Sequence, residues 1–268
     1  MNKHPYTLIT GASEGLGKSL AIECASRNMN LVLVALPGSE LLQVRDYVSR
    51  NFNVDVLAIE QDLTEPDSAD CILEKVLQHG ININMLINNA GLGNTQLFET
   101  AERRFFEKQI RVNVLATTSM THAFLPMLRQ HEKSYVLNVS SLACFFAIPR
   151  KQVYGGTKSF IYFFSRSLAA ELAEYGVSVS VLCPGGINSN PVQTMLNKSG
   201  SWISLLSLMN PEDVAPIAIS GLLRGKAVII PGRLNRLFKT MEQVTPSFLK
   251  KRIIRKQIEQ LKVYYQPA

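Results

Sequence analysis

Tyr6-Thr-Leu-Ile-Thr-Gly-Ala-Ser-Glu-Gly-Leu-Gly17 decides the fold. A β-favouring run leads straight into a turn with three glycines, and a helical pattern follows over 15–28. Gly11, Gly15 and Gly17 let the backbone turn tightly and approach a pyrophosphate, whose charge the N-terminus of the next helix meets. Glycines at this spacing also serve plain strand-to-helix turns. Their place in the first βα unit of the chain is what gives the dinucleotide reading its weight.

Beyond this unit, short β-rich runs alternate with helical stretches. Strands are expected at 6–10, 30–35, 54–60, 85–88, 135–139, 177–183 and 227–230. Helices are expected at roughly 15–28, 38–51, 66–79, 101–129, 151–175 and 211–223. Several of the strands are almost wholly apolar, as parallel strands buried on both faces are. The repeated βα units imply an α/β Rossmann-type parallel sheet of about seven strands with helices on both faces. With 268 residues, 46% apolar and 18% charged, the chain reads as one globular domain over 1–268. No linker, repeat or low-complexity segment divides it.

Chemistry is carried by Tyr154-Gly-Gly-Thr-Lys158, with Ser141 thirteen residues upstream of the tyrosine. Residues four apart share a helix face, so Tyr154 and Lys158 fall within reach of each other. A free tyrosine titrates near ~10, too high for easy proton exchange at neutral pH. A neighbouring ammonium favours the phenolate, so the pair predicts a lowered Tyr154 pKa. Ser141 is placed to donate a hydrogen bond to an oxygen undergoing protonation. Ser140 is its rival, and the thirteen-residue interval favours the second serine.

Taken in order, these motifs resemble the classical branch of the short-chain dehydrogenase/reductase family, over residues 6 to about 232. Thr10-Gly-Ala-Ser-Glu-Gly-Leu-Gly17 is similar to the family's glycine turn, and Asn88-Asn89-Ala90-Gly91 to its NNAG segment. Asn138-Val-Ser-Ser141 and Tyr154-xxx-Lys158 match its serine and its YxxxK pair. The resemblance implies an NAD(P)-dependent oxidoreductase that interconverts a carbonyl compound and its alcohol. Tyr154 would be the general acid in reduction and the base in oxidation. Lys158 would lower the tyrosine pKa and bind the nicotinamide ribose, Ser141 would hold the substrate oxygen, and Asn113 would help position a water-linked proton relay. Cofactor contacts would come from Gly11, Ser13, Glu14, Gly15, Leu16 and Gly17 at the pyrophosphate turn, and from Leu36 at the adenosine ribose. Asp62 and Leu63 would meet the adenine. Asn89, Ala90 and Gly91, Tyr154 and Lys158, and then Pro184, Gly185, Ile187 and Ser189 would surround the nicotinamide end. The contrasting reading is a catalytically silent dinucleotide-binding regulator or scaffold, which would have no need of the Ser141, Tyr154 and Lys158 set.

The second strand ends on Val34-Ala-Leu-Pro-Gly38, with Leu36 where NAD-dependent members usually carry an acid. Loss of that carboxylate favours NADP over NAD. Against it, Glu14 replaces the arginine that many NADP-dependent relatives carry, which leaves Lys18 and Ser39 as phosphate contacts. By family position the substrate pocket is expected from Leu92, Gly93, Leu142, Ala143, Cys144, Phe145, Gln152 and the segment after Gly186, including Trp202–Met209. Its apolar character suits a hydrophobic carbonyl substrate.

Other features exclude functions. The four cysteines show no CxxC spacing and the histidines are scattered, so no metal site is expected and reduced thiols in the cytoplasm are. No apolar run approaches the ~18 residues that cross a bilayer. Residues 221–268 hold eleven Lys/Arg against two Glu, +9, while the other 220 residues net −2. No nucleic-acid motif accompanies this charge. From about 233 the chain is therefore a basic extension, and 248–265 can form a helix with one apolar and one basic face. Packing of that face on the body or on a partner subunit, in a homodimer or homotetramer, is the expectation. Contact with an anionic membrane surface is the alternative.

Overall fold

The computed structural model describes residues 5–93, 95–189, 194, 207–246, 248–252 and 254–255. Seven parallel strands form one sheet in the order β3-β2-β1-β4-β5-β6-β7. These are β1 Tyr6–Thr10, β2 Asn30–Ala35, β3 Val56–Glu60, β4 Ile83–Asn88, β5 Ser134–Val139, β6 Val177–Leu182 and β7 Val228–Ile229. The helices are α1 Gly15–Ser26, α2 Leu41–Asn51, α3 Ser68–Gln78, α4 Arg103–Ile110, α5 Thr117–Leu128, α6 Gln152–Leu172, α7 Pro211–Leu223 and α8 Arg233–Val244.

Alternation along the central strands sorts the core into two layers. Leu31, Leu33 and Ala35 of β2 pack with α1, α2 and α7, while Val32 and Val34 face α3 and α5 on the other side. Both faces of the sheet are thus dry, which is why these strands read as unbroken apolar runs. Each buried leucine contributes roughly 1.5–3 kcal/mol, so two such layers hold the frame rigid under its loops. Strand order reverses between β1 and β4, and a crevice opens there beyond the carboxyl ends of the strands.

Element ends depart from the sequence expectation for local reasons. Strand β3 begins at Val56, not residue 54, because Asp55 N–H bonds the Asn30 side chain at 2.9 Å and Val54 N–H turns back to Phe52. The expected continuous helix over 101–129 is two α-helices joined by a π-helical turn, Arg111–Ala116. Helix α8 lies within the basic extension and ends at Val244, with Thr245 as its cap ahead of Pro246. No helix among the described residues is long and apolar enough to cross a membrane.

Candidate active site

The glycine turn links β1 to α1 at the crevice. Gly17 packs so closely that a Cβ there would lie 1.9 Å from Gly11 O. Gly11 has φ +64°, and a Cβ on it would meet Ala90 Cα at 2.8 Å. Only glycine fits either position: contact excludes a side chain at both, and the positive φ adds to this at Gly11. Thr10 Oγ1 accepts from Asn89 N–H at 3.0 Å and Ala90 N–H at 3.1 Å, and Asn89 Nδ2 donates to Thr10 O and Gly11 O. These bonds tie the end of β4 to the turn. Ser189 reaches the same place: a Cβ on Gly15 would strike its Cβ at 2.8 Å. Asp62 caps its own turn, accepting from Thr64 N–H and Oγ1 at 2.8 Å, with Leu63 buried beside it. Ile187 bridges to Met209, and Pro184 O accepts from Leu142 N–H.

The reactive groups converge on α6. Lys158 is buried and its Nζ donates to Val139 O at 2.8 Å. A Cβ on Gly91 would lie 3.2 Å from that Nζ and 3.4 Å from Asn113 Oδ1, so all three sit together. Asn113 Oδ1 accepts from Leu92 N–H at 2.7 Å, and its Nδ2 donates to Leu92 O and Thr157 Oγ1, both at 3.0 Å. Thr157 Oγ1 in turn donates to Tyr154 O at 2.8 Å. The π-helical turn swings Asn113 into this position, as such insertions often do at functional sites.

Geometry gives the two serines different surroundings. Ser140 is buried and its hydroxyl donates to Lys158 O at 2.7 Å, so it braces the helix backbone. Ser141 Oγ accepts from Ala143 N–H at 3.1 Å and stands close enough to the Tyr154 phenol to pull its pKa down.

Electrostatics correct one expectation. Burial pushes the Tyr154 phenol above its ordinary value and outweighs Ser141, which pulls the other way. Burial also lowers Lys158 to about 8. The lysine points its ammonium at Val139 O, and no hydrogen bond joins its Nζ to the phenol. Desolvation wins, and the phenol holds its proton. Cys144 and Cys183 are free thiols that interact nearby; the interaction lowers the first and raises the second.

Some contributors were missed in the sequence. Lys151 Nζ is 5.9 Å from the Tyr154 ring centroid, as Lys158 Nζ is, so the ring sits between two ammonium groups. Its signal was the three-residue spacing ahead of Tyr154. Buried Asn88 donates to Thr121 Oγ1 and to Asn138 Oδ1, and Asn138 donates to Ser165 Oγ, a polar ladder that locks β4, β5 and α6 together. A cavity of about 400 Å³ opens beside α6, lined by Thr95, Gln96, Leu97, Thr100, Phe105 and Arg150 among others. Of the expected pocket residues only Gln152 joins its smaller neighbour, alongside Tyr154. The expected stretch 202–206 lies outside the described residues. No metal-holding cluster occurs among the described residues.

The family model described as short chain dehydrogenase matches residues 5–199. The chain is a short-chain dehydrogenase/reductase. It is 34% identical over 187 residues to a very-long-chain 3-oxoacyl-CoA reductase from Bos taurus, covering 67% of this chain. That match spans 58% of the relative's length. Among solved structures, it resembles a short-chain dehydrogenase from Sphingobium yanoikuyae in complex with NADPH. The TM-score is 0.75 at 27% identity, over 91% of this chain and 97% of that one. A bulky-bulky ketone specific alcohol dehydrogenase from Comamonas testosteroni aligns with TM-score 0.75 at 25% identity, over 98% and 96% of the two chains. The Sphingobium neighbour is in complex with NADPH. The residues present fit such a dinucleotide: a turn closed to any Cβ meets the N-terminus of a twelve-residue helix, α1.

Proposed function

We propose that this chain reduces a hydrophobic ketone to the corresponding alcohol with NADPH as the preferred cofactor. One arrangement carries the reading: Tyr154, on α6 and near Ser141, has a phenol that burial keeps protonated. An acid loaded at neutral pH serves reduction directly, because the carbonyl oxygen needs a proton as it gains negative charge. The dinucleotide, when bound, supplies the hydride. Tyr154 delivers the proton, and Ser141 orients the carbonyl and bonds its developing oxyanion. Lys158 binds the nicotinamide ribose, and Asn113 holds Leu92 and Thr157 in place around the lysine. The glycine turn, Gly11 to Gly17 with Ser13, Glu14 and Leu16, holds the pyrophosphate. Pro184, Gly185, Ile187 and Ser189 enclose the nicotinamide.

The preference for NADPH rests on the end of β2. Leu36 is half exposed, so no carboxylate opposes a 2′-phosphate at that position. Three residues on, Ser39 Oγ is buried with no hydrogen-bond partner, a donor ready for a phosphate oxygen. NADH is the second reading, because Glu60 brings a carboxylate to the same turn, where its Oε1 accepts from Gly38 N–H at 2.9 Å. A bulky or acyl ketone is supported by the names of the relatives and by Leu97 and Phe105 in the cavity that adjoins the smaller one lined by Tyr154. A homodimer or homotetramer remains the expected assembly.

The test is a panel of acyl, steroid-like and bulky aliphatic ketones followed at the nicotinamide absorbance, with NADPH and NADH in parallel. Oxidation of NADPH by at least one ketone, faster than of NADH, supports the proposal. Binding of both dinucleotides without turnover on any member would point to the silent scaffold.

A further inference from the structure

We propose that helix α8 is an interfacial anchor that lays the chain on an anionic lipid surface, with its apolar stripe in the headgroup boundary. Leu234, Leu237, Met241 and Val244 recur at intervals of three, four and three, so they share one face of α8. That face is bare: the four are 41%, 51%, 50% and 73% exposed. The opposite face is committed to the body. Asn235 is buried and its Nδ2 donates to Pro231 O at 2.9 Å and to Ser207 O at 3.3 Å, and Lys239 Nζ lies 5.3 Å from the Phe145 ring centroid. The helix therefore cannot roll to hide its leucines. Exposed Phe248 and Leu249 continue the apolar surface past Pro246, and Lys250 pairs with Glu242 at 2.5 Å to hold that stretch against α8.

Charge selects the occupant. Arg233 and Arg236 flank the stripe, and neither makes an ion pair with a described residue. The region 221–268 carries +9 while the rest of the chain carries −2, so the attraction is concentrated at this end. An exposed apolar stripe beside arginines that pair with no described carboxylate matches a lipid surface, where each half of the helix meets its complement. The sequence expectation of packing concerned 248–265, most of which lies outside the described residues; α8 is a separate helix with its own exposed face. Because α8 also packs on Gly185 through Asn235 and on Phe145 through Lys239, docking would set the site beside the bilayer. The proposal does not depend on any turnover.

The experiment is sedimentation of the full chain with vesicles of phosphatidylserine and phosphatidylcholine, and with phosphatidylcholine alone. We expect pelleting with the anionic vesicles, little with the neutral ones, and release in high salt. The double variant Leu237→Glu/Met241→Glu alters only exposed positions, and its pelleted partition should fall by ~10-fold or more. An unchanged melting curve would show that it is folded. A full chain left in solution by anionic vesicles overturns the proposal, as does a folded double variant that pellets like the parent. A loss of oligomer mass in the double variant by light scattering, with no vesicle binding by the parent, would assign the face to a second copy and overturn it equally.

Discussion

Lys158 Nζ donates to Val139 O, 2.8 Å away at the end of β5, and so fixes a buried ammonium at the rim of the crevice. Burial lowers this lysine to about 8. If the ammonium donates to ribose hydroxyls when the dinucleotide binds, binding favours its charged form and raises its pKa, so the complex takes up a proton around pH 8. Affinity should then be greatest below about 8 and weaken as pH rises through that value, because the free lysine is losing the proton that the complex retains. Fluorescence titration of NADPH across this range measures the effect. Lys158→Met should bind more weakly and flatten the profile. A parent affinity that is level across pH 8 would mean the ammonium does not touch the dinucleotide.

Tyr154 carries the opposite sign. Its pKa is raised by burial, so the acid stays loaded through neutral pH. Reduction should hold its rate across neutral pH, while oxidation of the alcohol should climb with pH as the phenol gives up its proton. Initial rates in both directions over a pH series check this. A reduction rate that falls through neutral pH, as a lowered phenol would require, contradicts it.

The adenosine pocket should respond to single changes at the end of β2. Leu36→Asp sets a carboxylate against a 2′-phosphate and beside a free ribose hydroxyl, and should reverse a preference for NADPH. Ser39→Ala should weaken NADPH by about 1 kcal/mol and leave NADH untouched, as loss of one phosphate hydrogen bond would. Competitive binding of the two dinucleotides reads both. Equal weakening of both by Ser39→Ala would show that the unpartnered hydroxyl serves no phosphate.

Asn113 is a structural residue as well as a neighbour of Lys158. Asn113→Ala leaves Leu92 N–H, Leu92 O and Thr157 Oγ1 without their partner in a dry site. Stability should fall by about 2–4 kcal/mol in urea unfolding, since each buried polar group keeps its desolvation cost. An unchanged midpoint would mean that water replaces the amide without loss.

The parallel sheet was legible because its strands are buried on both faces, and Leu31, Val32, Leu33 and Val34 leave no other reading. The reactive set was legible because spacing on α6 and the glycine turn follow from local geometry. What stayed hidden was settled by long-range contacts. Nothing near Asn113 in sequence announces the π-helical turn, which is stabilised by Leu92 and Thr157 from elsewhere in the chain. The expected lowering of Tyr154 assumed that four-residue spacing brings ammonium to phenol, whereas Val139 O captures the ammonium. Helix α8 was read only as a charged extension, because whether Leu237 is covered depends on Asn235 and its distant partner Ser207.

The most direct measurement compares the parent with Tyr154→Phe on one reducible ketone and NADPH. The variant keeps the ring and loses the proton. The parent should turn over, kcat of the variant should fall by roughly 10²–10⁴-fold, and the dissociation constant for NADPH should be nearly unchanged. A variant that reduces the ketone at close to the parent rate would show that the proton comes from elsewhere.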